Sequence, residues 1–277
     1  MMESHEPPLT PFATPVRVVR HEANQATELT EDLVAVEEPL ELRVNGKAFV
    51  VVMRTPGHDL ELAAGHLLAE GIIARRADIV SIGPCPARPD GAPDNAILVE
   101  LARVDARKLR KLTRRSTMGS SCGTCGKTTI AQVQQNFPAL DLPPARAAAA
   151  VVQSLPIQLS AQQEVFRTTG GLHGAALFRV DGGLLKVRED VGRHNAVDKV
   201  LGWALLNELT PLNEHILFVS GRISFEIVQK ALAARIGVVA GISAPTSLAV
   251  DFARASGQTL IGFVRDGRAN VYAGTLT

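Results

Sequence analysis

A chain of 277 residues exceeds the usual ~100–200 of one domain, so one large or two modest domains are expected. The formal charge of +1 excludes a global pull toward nucleic acid or anionic membrane, and 46% hydrophobic residues leave ample material for a core. Three cysteines are too few for a disulfide framework, and no apolar run approaches the ~18 residues of a membrane span, so a cytoplasmic protein is the expectation.

In chain order, residues 1–28 read as a flexible arm, rich in proline and charge and without a signal-like apolar run. Leu40 to Met53 reads as two strands joined at Asn45-Gly46, a dipeptide suited to a type I′ turn because both residues accept positive φ. DLELAAGHLLAEGII follows, with Leu60, Ala63, Ala64, Leu67 and Leu68 at helical spacing and Gly71 at the end. Pro84 to Pro93 is an irregular loop, and Asn95 to Val104 a strand. Residues 29–115 thus form a small N-terminal α/β domain, and 116–145 a cysteine loop and linker.

Residues 146–277 read as a second domain. Gly170–Arg179 and Gly183–Val187 form a strand pair. Asn195–Leu206 is a helix with Val197, Val200, Leu201, Ala204 and Leu205 on one stripe. Strand His215–Val219, helix Ser224–Ala234, strand Val238–Ile242 and helix Ser247–Ala255 alternate as βαβ units do. They predict a mixed, largely parallel sheet flanked by helices. Thr259–Val264 and Asn270–Ala273 close the chain around Asp266-Gly267.

Chemistry concentrates in RRSTMGSSCGTCGKTT. Cys122 and Cys125 lie three residues apart among small residues, and Arg114, Arg115 and Lys127 favour the nucleophilic thiolate. A thiolate can take the terminal sulfur of a persulfide, and its neighbour can assist or resolve the intermediate. A thioredoxin-type dithiol fits less well, because it opens a helix directly after a strand. A structural zinc site needs four ligands, which only distant residues such as His173 or His194 would complete. At this level sulfur transfer and a zinc-binding, hydrolase-like or structural role both stand. Cys85, alone in its proline loop, carries no such signal.

A polar constellation and a set of loops suited to an anionic ligand stand beside the thiols. TTGGLHGAALF and EDVGRHNAVDK place His173 and His194 beside glycines, with Glu189, Asp190 and Arg193 close to the second. Capping by polar residues explains this pattern as well as a pocket wall does. Ser220-Gly221-Arg222 and Ala244-Pro245-Thr246-Ser247 each precede a helix, whose free N–H groups favour phosphate. The turn Phe263-Val264-Arg265-Asp266-Gly267-Arg268 adds two guanidiniums, and Arg103–Arg115 carries seven cations against Asp105.

SCGTCGK, TGGLHGAALF, EDVGRHNAVDKVLG, SGRISFEIVQKAL, SAPTSLAVDFA and LIGFVRDGRANVY, in this order, resemble the formate dehydrogenase accessory sulfurtransferases, the FdhD family. TPGHDLELAAGHLLAEGII is similar to that family's N-terminal motif, and the resemblance spans about 34–273. It implies a cytidine-deaminase-like C-terminal domain and transfer of sulfur from a cysteine desulfurase to bis-molybdopterin guanine dinucleotide. The client is the formate dehydrogenase apoenzyme, the protein a homodimer, and a guanine nucleotide a mimic of the cofactor. Cys122 takes the persulfide position with Cys125 beside it, and Phe263 to Arg268 the cofactor-contacting segment. Ser121 stands where the family often has glycine. A deaminase's zinc would need H-x-E and P-C-x-x-C, and the chain has neither.

Overall fold

A computed structural model describes residues 12–23, 27–86, 95–102, 137–141 and 146–277. Its first half is built from β1 (Ala13–Arg20), β2 (Glu28–Ala35), β3 (Glu38–Val44), β4 (Lys47–Arg54), α1 (Asp59–Ala69), β5 (Ile79–Pro84) and β6 (Ala96–Leu101). Strands β3 to β6 form a four-stranded sheet in the order β4-β3-β6-β5. Asn45 and Gly46, at φ 48° and 73°, make the expected turn between β3 and β4.

The second half contains α2 (Ala149–Gln162), α3 (Glu164–Thr169), β7 (His173–Arg179), β8 (Leu184–Asp190) and α4 (Arg193–Leu206). It continues with β9 (His215–Val219), α5 (Phe225–Ala233), β10 (Val238–Gly241), α6 (Ser247–Ser256), β11 (Thr259–Arg265) and β12 (Arg268–Ala273). These strands form one sheet in the order β12-β11-β10-β9-β7-β8. It is mixed, as expected, but parallel pairing is confined to the central block β9-β10-β11. β7, β8 and β12 all pair antiparallel, because each is joined to its neighbour by a hairpin or reverses direction against it.

Both faces of this sheet are covered, so its strands are apolar on both sides. Ala175 and Leu177 face the helices α1, α4 and α5, whereas Ala176 and Phe178 face Val152, Leu155 and Leu159 of α2. The first core continues into Leu40, Leu42, Ile97 and Val99 of the smaller sheet, so the two halves share one interior. At its centre α1 crosses α4 with backbone against backbone. A Cβ on Gly65 would overlap the carbonyl of Asp198, and one on Gly202 the carbonyl of Glu61.

The expectation of an unstructured arm over 1–28 does not hold for Ala13–Arg20, which pairs with β2 along its whole length. Alternating Val16 and Val18 were masked as a signal by Pro15 and the interleaved arginines. α2 went unread for a related reason: it is uncapped and carries Pro156 inside the helix. After the cysteine-bearing region the chain is pinned again at 137–141, where Leu140 N–H donates to the Ser256 carbonyl (3.0 Å) and Arg235 binds Asp141 (2.9 Å).

Candidate functional site

Parallel β9, β10 and β11 end at one edge of the large sheet, where antiparallel β7 begins and β8 ends. Helices α4, α5 and α6 all open there, so their free N–H groups converge. Hydrogen bonds zip the loops together. Ile223 N–H donates to the Ala244 carbonyl (3.1 Å), Thr246 N–H to Ile223 (3.0 Å), and Phe263 N–H to Ser243 (3.2 Å). Thr246 caps α6 by accepting from Ala249 N–H at 3.4 Å.

The turn at 263–268 projects from this edge. Phe263 sits at φ 52° in an irregular stretch of β11, and its ring lies 5.7 Å from the Arg265 guanidinium. Asp266 and Gly267, at φ 52° and 72°, reverse the chain. Arg265, Asp266, Gly267 and Arg268 are exposed, but Val264 is fully buried in the core under α2. Val264 therefore offers a ligand its backbone at most.

His173 and His194 reach the same edge with different surroundings. Gly221 lies directly against the His173 ring and against Arg193. Burial, then Arg193 and Arg222, hold the His173 pKa below the ordinary value, against the pull of Asp190. His194 is buried, with Nε2 3.3 Å from Ser224 Oγ and 3.8 Å from Glu226. Burial, Lys230 and Arg193 lower its pKa to about 4, so the ring is neutral near pH 7. Arg193 Nε is buried at this edge with no partner among the described residues.

Glu189 and Asp190 do not join that cluster. Glu189 accepts from Val165 and Phe166 N–H (3.1 and 2.8 Å) and so caps α3. Asp190 binds Lys199 at 2.7 Å, with both residues at most 1% exposed. It also accepts from Gly192 N–H, Asn195 Nδ2 and Thr55 N–H. Burial drives its pKa up against Lys199. Beneath His194 lies a second buried pair, Lys230–Asp198 at 2.7 Å, with His66 at 3.5 Å. Burial raises the Asp198 pKa, but Lys230 and His66 outweigh it and hold the carboxyl low. Sequence reasoning missed Lys199 and Lys230. Their one signal was position, since Lys230 follows Ile227 by three residues on the buried stripe of α5.

Cys122, Cys125 and the basic stretch Arg103–Arg115 lie outside the described residues. Among the described residues no three metal-binding side chains cluster, and His173 and His194 are each engaged separately.

The fold is a mixed α/β one in which three helix N-termini and several arginines meet at one sheet edge, a setting whose electrostatics favour negative charge. The chain belongs to the FdhD/NarQ family, whose model matches residues 35–276. It is 52% identical over 261 residues to the sulfur carrier protein FdhD of Mycolicibacterium paratuberculosis, covering 92% of this chain and 95% of that one. The protein of the same name from Sulfolobus acidocaldarius is 44% identical, with 88% and 90% covered. A crystal structure described as that of a formate dehydrogenase accessory protein from Desulfotalea psychrophila superposes with a TM-score of 0.74 at 25% identity. It covers 95% of this chain and 98% of that one. Among the described residues no helix is long and apolar enough to cross a membrane.

Proposed function

We propose that this chain is a cytoplasmic sulfur carrier that takes sulfur from a cysteine desulfurase and passes it to bis-molybdopterin guanine dinucleotide, for use by a formate dehydrogenase. The observation that carries this reading is the near full-length match to curated relatives named sulfur carriers. The Cys122-Gly-Thr-Cys125 motif and the arginine-rich sheet edge support it. Cys122 thiolate attacks the terminal sulfur of the donor's cysteine persulfide. A new S–S bond forms at Cys122, the donor's S–S bond breaks, and the donor cysteine leaves as a thiolate. Attack of the Cys125 thiolate on Cys122 Sγ then releases the sulfur as sulfide and leaves a Cys122–Cys125 disulfide, which supplies the two electrons.

The cofactor is the cargo. The helix N-termini at the sheet edge suit its phosphates, as do Arg265 and Arg268, and the half-buried Phe263 ring suits its base. Family members form homodimers, and we extend that state and a cytidine-deaminase-like ancestry of the second half to this chain.

Incubation with a cysteine desulfurase and cysteine, followed by intact-protein mass spectrometry, tests the reading. Wild type should gain the mass of one sulfur, with the label on Cys122. Cys122→Ala should gain none and should fail to activate formate dehydrogenase. Full activation by Cys122→Ala would refute the mechanism.

A further inference from the structure

A cleft of about 670 Å³ follows the free side of β8 from Leu184 to Glu189. Its Glu189 end reaches the sheet edge described above, because β8 ends there. The strand is its floor. Thr55, Pro56 and His58, before α1, wall one side, and Gln162, Glu164, Val165 and Thr168 of α2 and α3 wall the other.

An edge strand presents main-chain groups to whatever lies beside it. Which groups β8 presents follows from its neighbour. Opposite Glu189 stands Gly174, whose N–H donates to Ser220 Oγ and whose carbonyl accepts from Ser220 N–H, both at 2.9 Å. Gly174 thus points toward β9, and antiparallel alternation turns the main-chain groups of Glu189 and Val187 into the cleft. Their carbonyls are already engaged. Val187 O accepts from Arg188 Nη1 (2.9 Å), and Glu189 O from Lys199 Nζ (3.3 Å). Their N–H groups have no partner among the described residues.

The two walls differ in charge. Side chains alternate across a strand, so Lys186 and Arg188 lie on the α1 side, and Val187 and Glu189 on the side of α2 and α3. On the first side Glu61 answers Arg188 (2.7 Å), and Asp190 answers Lys199 (2.7 Å). Lys186 has no carboxylate among the described residues, and its Nζ lies 5.3 Å over the Trp203 ring. Burial and the positive charge of Arg188, Lys199 and Lys186 hold the nearby His58 pKa below its ordinary value, against the pull of Glu61. On the second side Glu189 is spent on the N–H groups of α3, and Leu172, Leu184 and Val187 offer apolar surface, with Glu164 exposed. The free main-chain donors and the unanswered lysine thus call for the same sign of charge.

We propose that this cleft is a docking groove for an extended segment of another protein, in which acidic residues alternate with apolar ones, added to β8 as a further strand. The carbonyls of the segment accept from Val187 and Glu189 N–H. Its carboxylates meet Lys186, and its apolar side chains meet Leu172, Leu184 and Val187. One end of it then lies at the sheet edge that carries His173.

The probe is a capped heptapeptide of alternating aspartate and valine, with a lysine-for-aspartate counterpart, titrated into the full-length protein. Trp203 is the chain's single tryptophan, so its fluorescence reports on Lys186, and amide NMR reads Val187 and Glu189 directly. The acidic peptide should bind at least about five-fold tighter than the basic one and should slow exchange of both amides. Lys186→Glu should reverse that order. Val187→Pro, which removes an outward-facing N–H, should abolish binding with an unchanged unfolding transition. No binding, equal binding of the two peptides, or an order that Lys186→Glu leaves as it was overturns the proposal. So does slow exchange of the two amides in the protein alone. Protection that fades on dilution would make a second copy the occupant, and protection at every concentration would make it the chain itself.

Discussion

Helix α4 serves two surfaces built on opposite plans. Along its flank, Gly202 and α1's Gly65 remove the side chains, so backbones touch and every nearby charge is matched. At its N-terminus, Arg193 and His194 enter an edge where a buried Arg193 Nε has no partner among the described residues. The contrast teaches where stability and chemistry are kept apart. A saturated seam fixes the frame, whereas the edge keeps polar groups that the described residues leave unmatched.

The largest expected effect comes from breaking the seam. Lys199→Met leaves Asp190 buried without its cation and should cost about 3–5 kcal/mol in urea unfolding. Lys199→Met combined with Asp190→Asn should recover part of that loss. If Lys199→Met unfolds like wild type, the seam is not what holds the halves.

Next comes a pH effect at the edge. Unfolded, His194 titrates near 6.5; folded, it titrates at about 4. The unfolded chain therefore takes up a proton that the native ring refuses. Stability is full above pH 6.5 and falls as pH drops toward 4, by up to about 3 kcal/mol from this group. Unfolding free energies of wild type and His194→Gln, measured on both sides of pH 6.5, should diverge in that window. Parallel curves would mean that the ring is not shielded. The smallest effect is local: Thr246→Ala removes the α6 cap and should cost about 1 kcal/mol in thermal unfolding.

Much of the frame was legible because its signals are local. The Asn45-Gly46 turn, α1, and the β9-α5-β10-α6-β11 run appear where periodicity and turn residues put them. The direction of β7 and β8 was not, since a hairpin and a crossover leave similar apolar runs. Asp190 was legible as a polar residue beside His194, but not as Lys199's partner. Another of its contacts comes from Thr55, 135 residues away. Long-range partnering leaves no period to read. Phe263 to Arg268 were legible as a turn, yet the burial of Val264 depends on α2, which the sequence concealed.

The segment that carries Cys122 is anchored at both ends. Ala102 N–H is held by the Asp78 carbonyl, and residues 138–141 are held by Arg235 and Ser256. Between Cys122 and Phe137 lie 15 residue steps, at most about 50 Å of chain. Any group on the same chain that the Cys122 thiol meets is thus met at a concentration set by that contour length and not by the amount of protein present.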